Sequence, residues 1–270
     1  MQTKEEKLAA FGRLLDTMDA LRQRCPWNAE QTMESIRPMT EEEVYELSDE
    51  IVKGDRKGIA KEIGDLMYHM VFYACIGEEE GSFDIADSMN KVCDKMVFRH
   101  PHVFRPDGSL LPEGEAPTAK EIADTWELVK AKEKDGNKTV MGGIPDSMPA
   151  ILKALSMQEK ARGCGFDWEK REDVWDKVKE ELAEVEAEMR RGDVKDEEKE
   201  FGDLLFSIIN AARLYGVRPD NALERTNRKF IARFNYIEAR AKEQGRHLRD
   251  MTLAEMDALW DEAKQLTANN

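Results

Sequence analysis

Apolar residues recur at three- and four-residue steps along most of the chain, and strand-type alternation is nearly absent. Leu8, Phe11, Leu14, Leu15, Met18 and Leu21 trace one face of an amphipathic helix. Arg24-Cys25-Pro26-Trp27-Asn28 interrupts it with a proline. A helix over residues 40–52 follows, with Thr40 as N-cap and Glu43 three positions on, as in a capping box. Gly54-Asp55 ends it. The pattern predicts a further helix over 57–77, its apolar side carrying Ile63, Leu66, Met67, Met70 and Val71, and a fourth over 83–98 with Asp84 at its start.

The sequence then turns loop-like at Arg105-Pro106-Asp107-Gly108 and Leu111-Pro112-Glu113-Gly114. Residues 118–134 regain helical spacing, and breaks fall at Asp135-Gly136-Asn137 and at Met141-Gly142-Gly143-Ile144-Pro145. Helices are predicted at 148–161, 170–190, 194–215, 219–244 and 252–266, with Gly163-Cys164-Gly165-Phe166-Asp167-Trp168 between the first two. The expectation is an all-α protein: a helical domain at 1–104, a linker at 105–147 holding one helix, and a second helical domain at 148–270.

The second domain repeats an acidic pattern of the first. E-E-x-x-E at 42–46 is followed by E-x-G-D at 62–65, and E-E-x-x-E at 180–184 by E-x-G-D at 200–203. Glu43, Glu46, Glu62 and Asp65 each stand 138 positions before Glu181, Glu184, Glu200 and Asp203. Gly54 and Gly192, Gly64 and Gly202, Leu66 and Leu204, and Ala74 and Ala212 share that offset. Lys95 and Arg99 correspond to Lys229 and Arg233 at a slightly shorter one.

At about 100° per residue, Glu180, Glu181 and Glu184 share a helix face, and Glu200 and Asp203 lie about 60° apart on the next helix. A turn at Gly192 would aim both sets into one cleft, where four carboxylates repel and a divalent cation relieves them. Oxygen-only ligation without histidine selects magnesium, manganese or calcium. A lone E-x-x-E is ordinarily a solvated face. Asp203, however, sits in the apolar run Glu-Phe-Gly-Asp-Leu-Leu-Phe, where an unpaired carboxylate would be costly, and the pattern occurs twice. Lys177 shares the face of Glu180 and Glu184, and Lys229 and Arg233 form an i, i+4 basic pair. A metal with lysine and arginine suits a polyphosphate; each cation singly is better explained by helix salt bridging, and it is the recurrence of the Lys-Arg pair that favours the polyphosphate.

Charge narrows the field. With 41 basic and 56 acidic residues the net charge is -15, which argues against a general nucleic-acid or anionic-membrane surface. The polar N-terminus has no signal-peptide core, no apolar run approaches a membrane span, and the four cysteines lack zinc-like spacing. A cytoplasmic protein with reduced thiols is expected. Trp27 and Trp168 occupy matching breaks and could stack on a base, as could Trp260, although a tryptophan on such a helix is more often core. His100 and His102 flank Pro101 and read as a structural turn. A carboxylate-bridged di-iron bundle would want a histidine three residues after Glu62 or Glu200, and neither has one.

The doubled E-E-x-x-E and E-x-G-D resembles a two-copy member of the MazG family of nucleoside triphosphate pyrophosphohydrolases. Arg24-Cys25-Pro26-Trp27, Arg99-His100-Pro101-His102-Val103-Phe104, Gly165-Phe166-Asp167-Trp168 and Asn227-Arg228-Lys229-Phe230 are similar to that family's landmarks. The resemblance implies an all-α fold, an intertwined homodimer, dependence on Mg2+ with Mn2+ as substitute, and hydrolysis of nucleoside triphosphates to monophosphate and pyrophosphate. It implies Glu181, Glu184, Glu200 and Asp203 as metal ligands, echoed by Glu43, Glu46, Glu62 and Asp65. It implies Lys130, Lys177, Lys229, Arg233 and Trp260 as substrate contacts. Glu180, on the ligand face, is the expected general base. The family's lysine four residues before the E-x-G-D glutamate is here Asp196. Met39 stands where the second repeat has Lys177, so the C-terminal repeat is the expected catalyst. The competing expectation is a nucleotide-sensing or scaffold protein that binds without hydrolysis.

Overall fold

The computed structural model describes residues 2–112, 114, 117–130, 132–133, 139–192 and 194–267. The predicted turn at Asp135-Gly136-Asn137, and Asp193 beside Gly192, lie outside the described residues. The chain divides into two compact units, Met1–Thr118 and Ala119–Asn270. Among the described residues the only β-type pairing is an isolated bridge between Phe104 and Leu110, in the loop-like stretch.

The first unit contains α1 (Lys4–Arg24), α2 (Pro26–Ala29), α3 (Met33–Lys53), α4 (Arg56–Glu79) and α5 (Ile85–Arg99). Thr3 and Glu6 form a capping box that starts α1. The proline break is itself a short helix, with Pro26 in the first turn where its missing N–H costs nothing. Helix α3 starts earlier than its pattern suggests. Its N-cap is Thr32, boxed with Ser35, and Pro38 falls inside the helix. Pro38 reads as a boundary in sequence, but in the second turn it forfeits a single hydrogen bond. Thr40 is therefore interior, and its hydroxyl bonds the Ile36 carbonyl and approaches His69 Nδ1 at 3.0 Å and Tyr73 Oη at 2.8 Å.

Met18 from α1, Ile36 from α3, and Val71, Phe72 and Ile76 from α4 make the core of this unit. Full burial of a side chain such as Met18 or Phe72 contributes about 1.5–3 kcal/mol. The predicted apolar side of α4 is only partly inward: Ile63 and Met70 are exposed, while Glu62 and His69 are buried. The inward face thus begins with an acid. Arg22 anchors the far end by pairing with Glu79 and donating to the carbonyls of Asn28 and Gln31.

The second unit contains α6 (Ala119–Lys130), α7 (Ala150–Gly163), α8 (Val174–Arg191), α9 (Val194–Leu214), α10 (Pro219–Glu243) and α11 (Leu253–Thr267). Helices α8 and α9 form the principal hairpin, α7 packs on α6 and α9, and α10 packs chiefly on α11. Its core cluster is small: Ala154, Leu155 and Ile209. Gln158 ties α7 to α9 through the Phe206 carbonyl at 2.9 Å. Arg213, nearly buried, pairs with Asp167 and with Asn210.

The repeat is a structural one. Gly54 (φ 74°) and Gly192 (φ 75°) occupy the left-handed region at the ends of α3 and α8, where a side chain would be strained. Each lets the chain double back into an antiparallel hairpin.

Candidate active site

The α8–α9 hairpin places one carboxylate oxygen from each of Glu181, Glu184 and Glu200 within 4.8 Å of the others. Glu181 and Glu200 are buried and Glu184 is exposed. Glu181 Oε2 is buried without a hydrogen-bond partner. Desolvation, then the charges of Glu181 and Glu200, push the Glu184 carboxyl above the usual glutamate range. The hydrogen bond from Lys199 holds Glu200 below it.

The α3–α4 hairpin repeats the arrangement with Glu43, Glu62 and Asp65, again within 4.8 Å. Glu62 is 5% exposed. Glu43 Oε2 and Glu62 Oε2 are buried without partners. Burial and then the charges of Asp65, Glu46 and Glu62 raise the Glu43 carboxyl. These groups contain only carboxylates. The orphaned oxygens are hard donors in groups whose members lie within 4.8 Å of one another, so the residues fit a magnesium-type cation.

Each hairpin thus gathers three of its four repeated acids. Glu46 and Asp203 lie outside these groups, and Glu46 approaches Lys61 at 3.8 Å. The expectation that Asp203 is sunk in apolar surroundings is corrected: its side chain is 53% exposed, as are neighbouring Phe201, Leu205 and Phe206 in part. Glu200, one helical turn earlier, is the desolvated member. The apolar run marks an outward face of α9, which sequence alone cannot tell from a core.

Lys177 lies where the helical spacing predicts, 2.9 Å from Glu180 and 2.7 Å from Glu181. Those two bonds raise its ammonium pKa. Glu180 is exposed at the edge of the cluster. Arg233 lies over the Trp260 ring, 5.4 Å from its centroid, and its Nε is buried without a partner. Phe230 meets the same indole at 5.1 Å, so Trp260 is an aromatic bridge between α10 and α11. Lys229 is exposed, and among the described residues neither it nor Arg233 forms an ion pair with the three acids. Lys130 is half-buried at the end of α6. Trp27 and Trp168 are both exposed. His100 caps α5 and its Nδ1 meets the Met96 carbonyl at 2.6 Å, in keeping with a structural turn.

Two features escape the motif reading. Lys61 and Lys199 touch the acids of their own hairpins, and their shared 138-residue offset was the available signal. His69 lies buried in the first unit against Thr40, and burial lowers its pKa. Ser207 holds its register in the second unit.

Acid-lined helical hairpins, built twice in one all-α chain, define the class: a duplicated helical protein whose carboxylate groups could hold a metal ion. A family model described as the MazG nucleotide pyrophosphohydrolase domain matches residues 31–104 and again residues 170–237. The chain is 37% identical over 260 residues to a nucleoside triphosphate pyrophosphohydrolase of Escherichia coli K12, covering 94% of this chain and 96% of that one. It is 37% identical over 257 residues to the nucleoside triphosphate pyrophosphohydrolase/pyrophosphatase MazG of Thermotoga maritima, covering 94% and 95%. It is also 40% identical over 268 residues to the uncharacterized protein YabN of Bacillus subtilis, spanning 97% of this chain and 53% of that longer one. The chain belongs to the MazG nucleotide pyrophosphohydrolase family.

Proposed function

We propose that the protein hydrolyses nucleoside triphosphates to nucleoside monophosphate and pyrophosphate, with the second unit as the working site. The observation that carries the reading is the close-set carboxylate group of Glu181, Glu184 and Glu200, the first and last of them buried, on a hairpin that the family domain covers. Glu181, Glu184 and Glu200, with Asp203 at the rim, would hold Mg2+, and Mn2+ would substitute. A divalent cation bound there supplies neutralisation of the triphosphate and a more acidic water.

The chain's own residues supply the rest. Lys177, already beside Glu181, is placed to turn to a phosphate when the acids are neutralised. Lys229 and Arg233 add cationic charge from α10. Lys130 adds another from α6. Trp260, backed by Phe230, offers an aromatic face for a base. Glu180, released when Lys177 turns to a phosphate, would take a proton from the attacking water. Attack falls at the α-phosphorus, and pyrophosphate leaves. Incubation with mixed nucleoside triphosphates and Mg2+, followed by ion-exchange chromatography, tests this. Monophosphate and pyrophosphate are expected in equal amounts. Orthophosphate with diphosphate as first products would refute α-attack, and bound but intact triphosphate would favour the sensing or scaffold alternative.

The first unit retains the acids but has Met39 in place of Lys177. It is assigned metal and nucleotide binding without rapid turnover, through Glu43, Glu46, Glu62 and Asp65.

The protein is assigned a homodimer. Leu182, Met189, Phe201, Leu205, Phe206 and Ile208 leave an exposed apolar face on the α8–α9 hairpin. Gly64 and Gly202 lie mid-helix, where glycine costs about 1 kcal/mol relative to alanine. A Cβ built at either meets nothing within 4 Å in this chain. Packing inside the chain therefore does not demand glycine there, whereas close approach by a second copy would. Light scattering on Gly202→Ala tests this: weakened self-association supports it, and an unchanged dimer opposes it. Among the described residues no helix is long and apolar enough to cross a membrane. The four cysteines are free, consistent with the assigned cytoplasmic setting.

A further inference from the structure

Two arginine ion pairs and two lysine ion pairs of this protein contrast in burial. Arg22 and Arg213 are 10% and 5% exposed at the side chain, and each clamps a loop or helix end. Lys61 and Lys199 are 65% and 69% exposed, and each pairs with acids of its hairpin. Lys61 lies 2.9 Å from Glu62, 3.3 Å from Asp65 and 3.8 Å from Glu46. Lys199 lies 2.7 Å from Glu200 and 3.8 Å from Asp203. Both stand one residue before the buried glutamate of E-x-G-D and four before its aspartate. In both units the lysine meets the glutamate and the aspartate of E-x-G-D.

We propose that Lys199, and Lys61 at the same register of the first unit, are displaceable counter-ions of the metal-free carboxylates and so set how tightly each site holds a divalent cation. This rests on the metal-binding reading above. The acids are too close together to be left uncompensated. An ammonium on a flexible stem, open to water, compensates them cheaply and leaves cheaply. A cation that enters must break the lysine contact and then tolerate the displaced charge nearby. Both effects oppose binding, so the lysine weakens metal affinity while stabilising the metal-free hairpin. A buried arginine could not serve, because its departure would strand a desolvated charge.

The test uses the full-length protein with Glu62→Gln to silence the first unit. Mn2+ is titrated calorimetrically into this parent and into the same protein carrying Lys199→Met or Lys199→Arg. Lys199→Met is expected to bind Mn2+ about two- to five-fold more tightly, the scale of losing an exposed ion pair. It should also melt at lower temperature than the parent in chelator, with the difference removed by saturating Mn2+. Lys199→Arg should behave as the parent. Unchanged or weaker Mn2+ binding by Lys199→Met, in a protein whose binding is abolished by Glu200→Gln, overturns this inference alone. Retention of Mn2+ binding by Glu200→Gln overturns the carboxylate assignment and this inference with it.

Discussion

Replacing Glu62 by glutamine separates a metal-binding acid from a structural one by the sign of its effect. Glu62 is 5% exposed, accepts a bond from Lys61 at 2.9 Å, and shares its site with Glu43 and Asp65. Two unit charges 4.8 Å apart repel by roughly 3.5 kcal/mol at an effective dielectric of 20 and roughly 0.9 kcal/mol in water. Glu43 is partly buried, so the repulsion lies between these limits. Neutralising Glu62 removes two such repulsions and loses one solvent-exposed contact with Lys61. The new amide can also donate to the buried, unpartnered oxygen of Glu43. The net expectation in chelator is stabilisation of the α3–α4 hairpin by about 1 kcal/mol, or about 4 °C for a domain near 100 residues. In Mg2+ the order reverses. Ligand at a hundred times its dissociation constant stabilises the parent by about 2.7 kcal/mol, and the variant forgoes most of this. Thermal melts in chelator and in Mg2+, with hydrogen exchange of the α3 and α4 amides to localise the change, make the comparison. A variant destabilised in chelator and as responsive to Mg2+ as the parent would show that Glu62 is only a salt-bridge residue.

Glu200→Gln and Glu184→Gln should each lower pyrophosphate release by at least about 100-fold with the fold kept, whereas Glu46→Gln should change it little; equal losses would refute the assignment of turnover to the second unit. Metal binding there should weaken as pH falls, beginning above the ordinary glutamate range, because Glu184 takes up its proton early. In the metal-free protein that raised carboxyl favours the folded state at low pH and loses its contribution as pH rises through its folded pKa, whereas the lowered Glu200 acts in the opposite sense. Calorimetric titration of Mn2+ across pH checks this, and an affinity flat down to the ordinary range would contradict it. Arg213→Met should destabilise the second unit by about 1 kcal/mol, read by urea melts, since it removes the guanidinium partner of Asp167, whose carboxylate water can still reach. Asp167 is held low by Arg213 against its own desolvation, so the clamp's contribution is present at neutral pH and is lost as pH falls through the folded Asp167 pKa.

The sequence by itself determined the all-α class, nearly every helix, and the duplication, because helical period and glycine at a left-handed turn are local properties. It also determined that Glu180, Glu181 and Glu184 share a helix face with Lys177, since fixed angular spacing carries side chains there whatever the helix packs against. Tertiary structure alone decided which acids converge. Glu181, Glu184 and Glu200 meet while Asp203 stays at the rim, because the rotation of α9 against α8 is set by contacts far apart in the chain. The same holds for α4, where Glu62 and His69 turn inward and Ile63 and Met70 outward. An apolar stripe says that a face wants cover without saying by what. Thr40, read as a cap, proved to be a hydroxyl bridging α3 and α4, because its partners His69 and Tyr73 come from another helix. Local chemistry writes the periodicity of each helix, but only the packing of one helix on another chooses which repeated charges share a site.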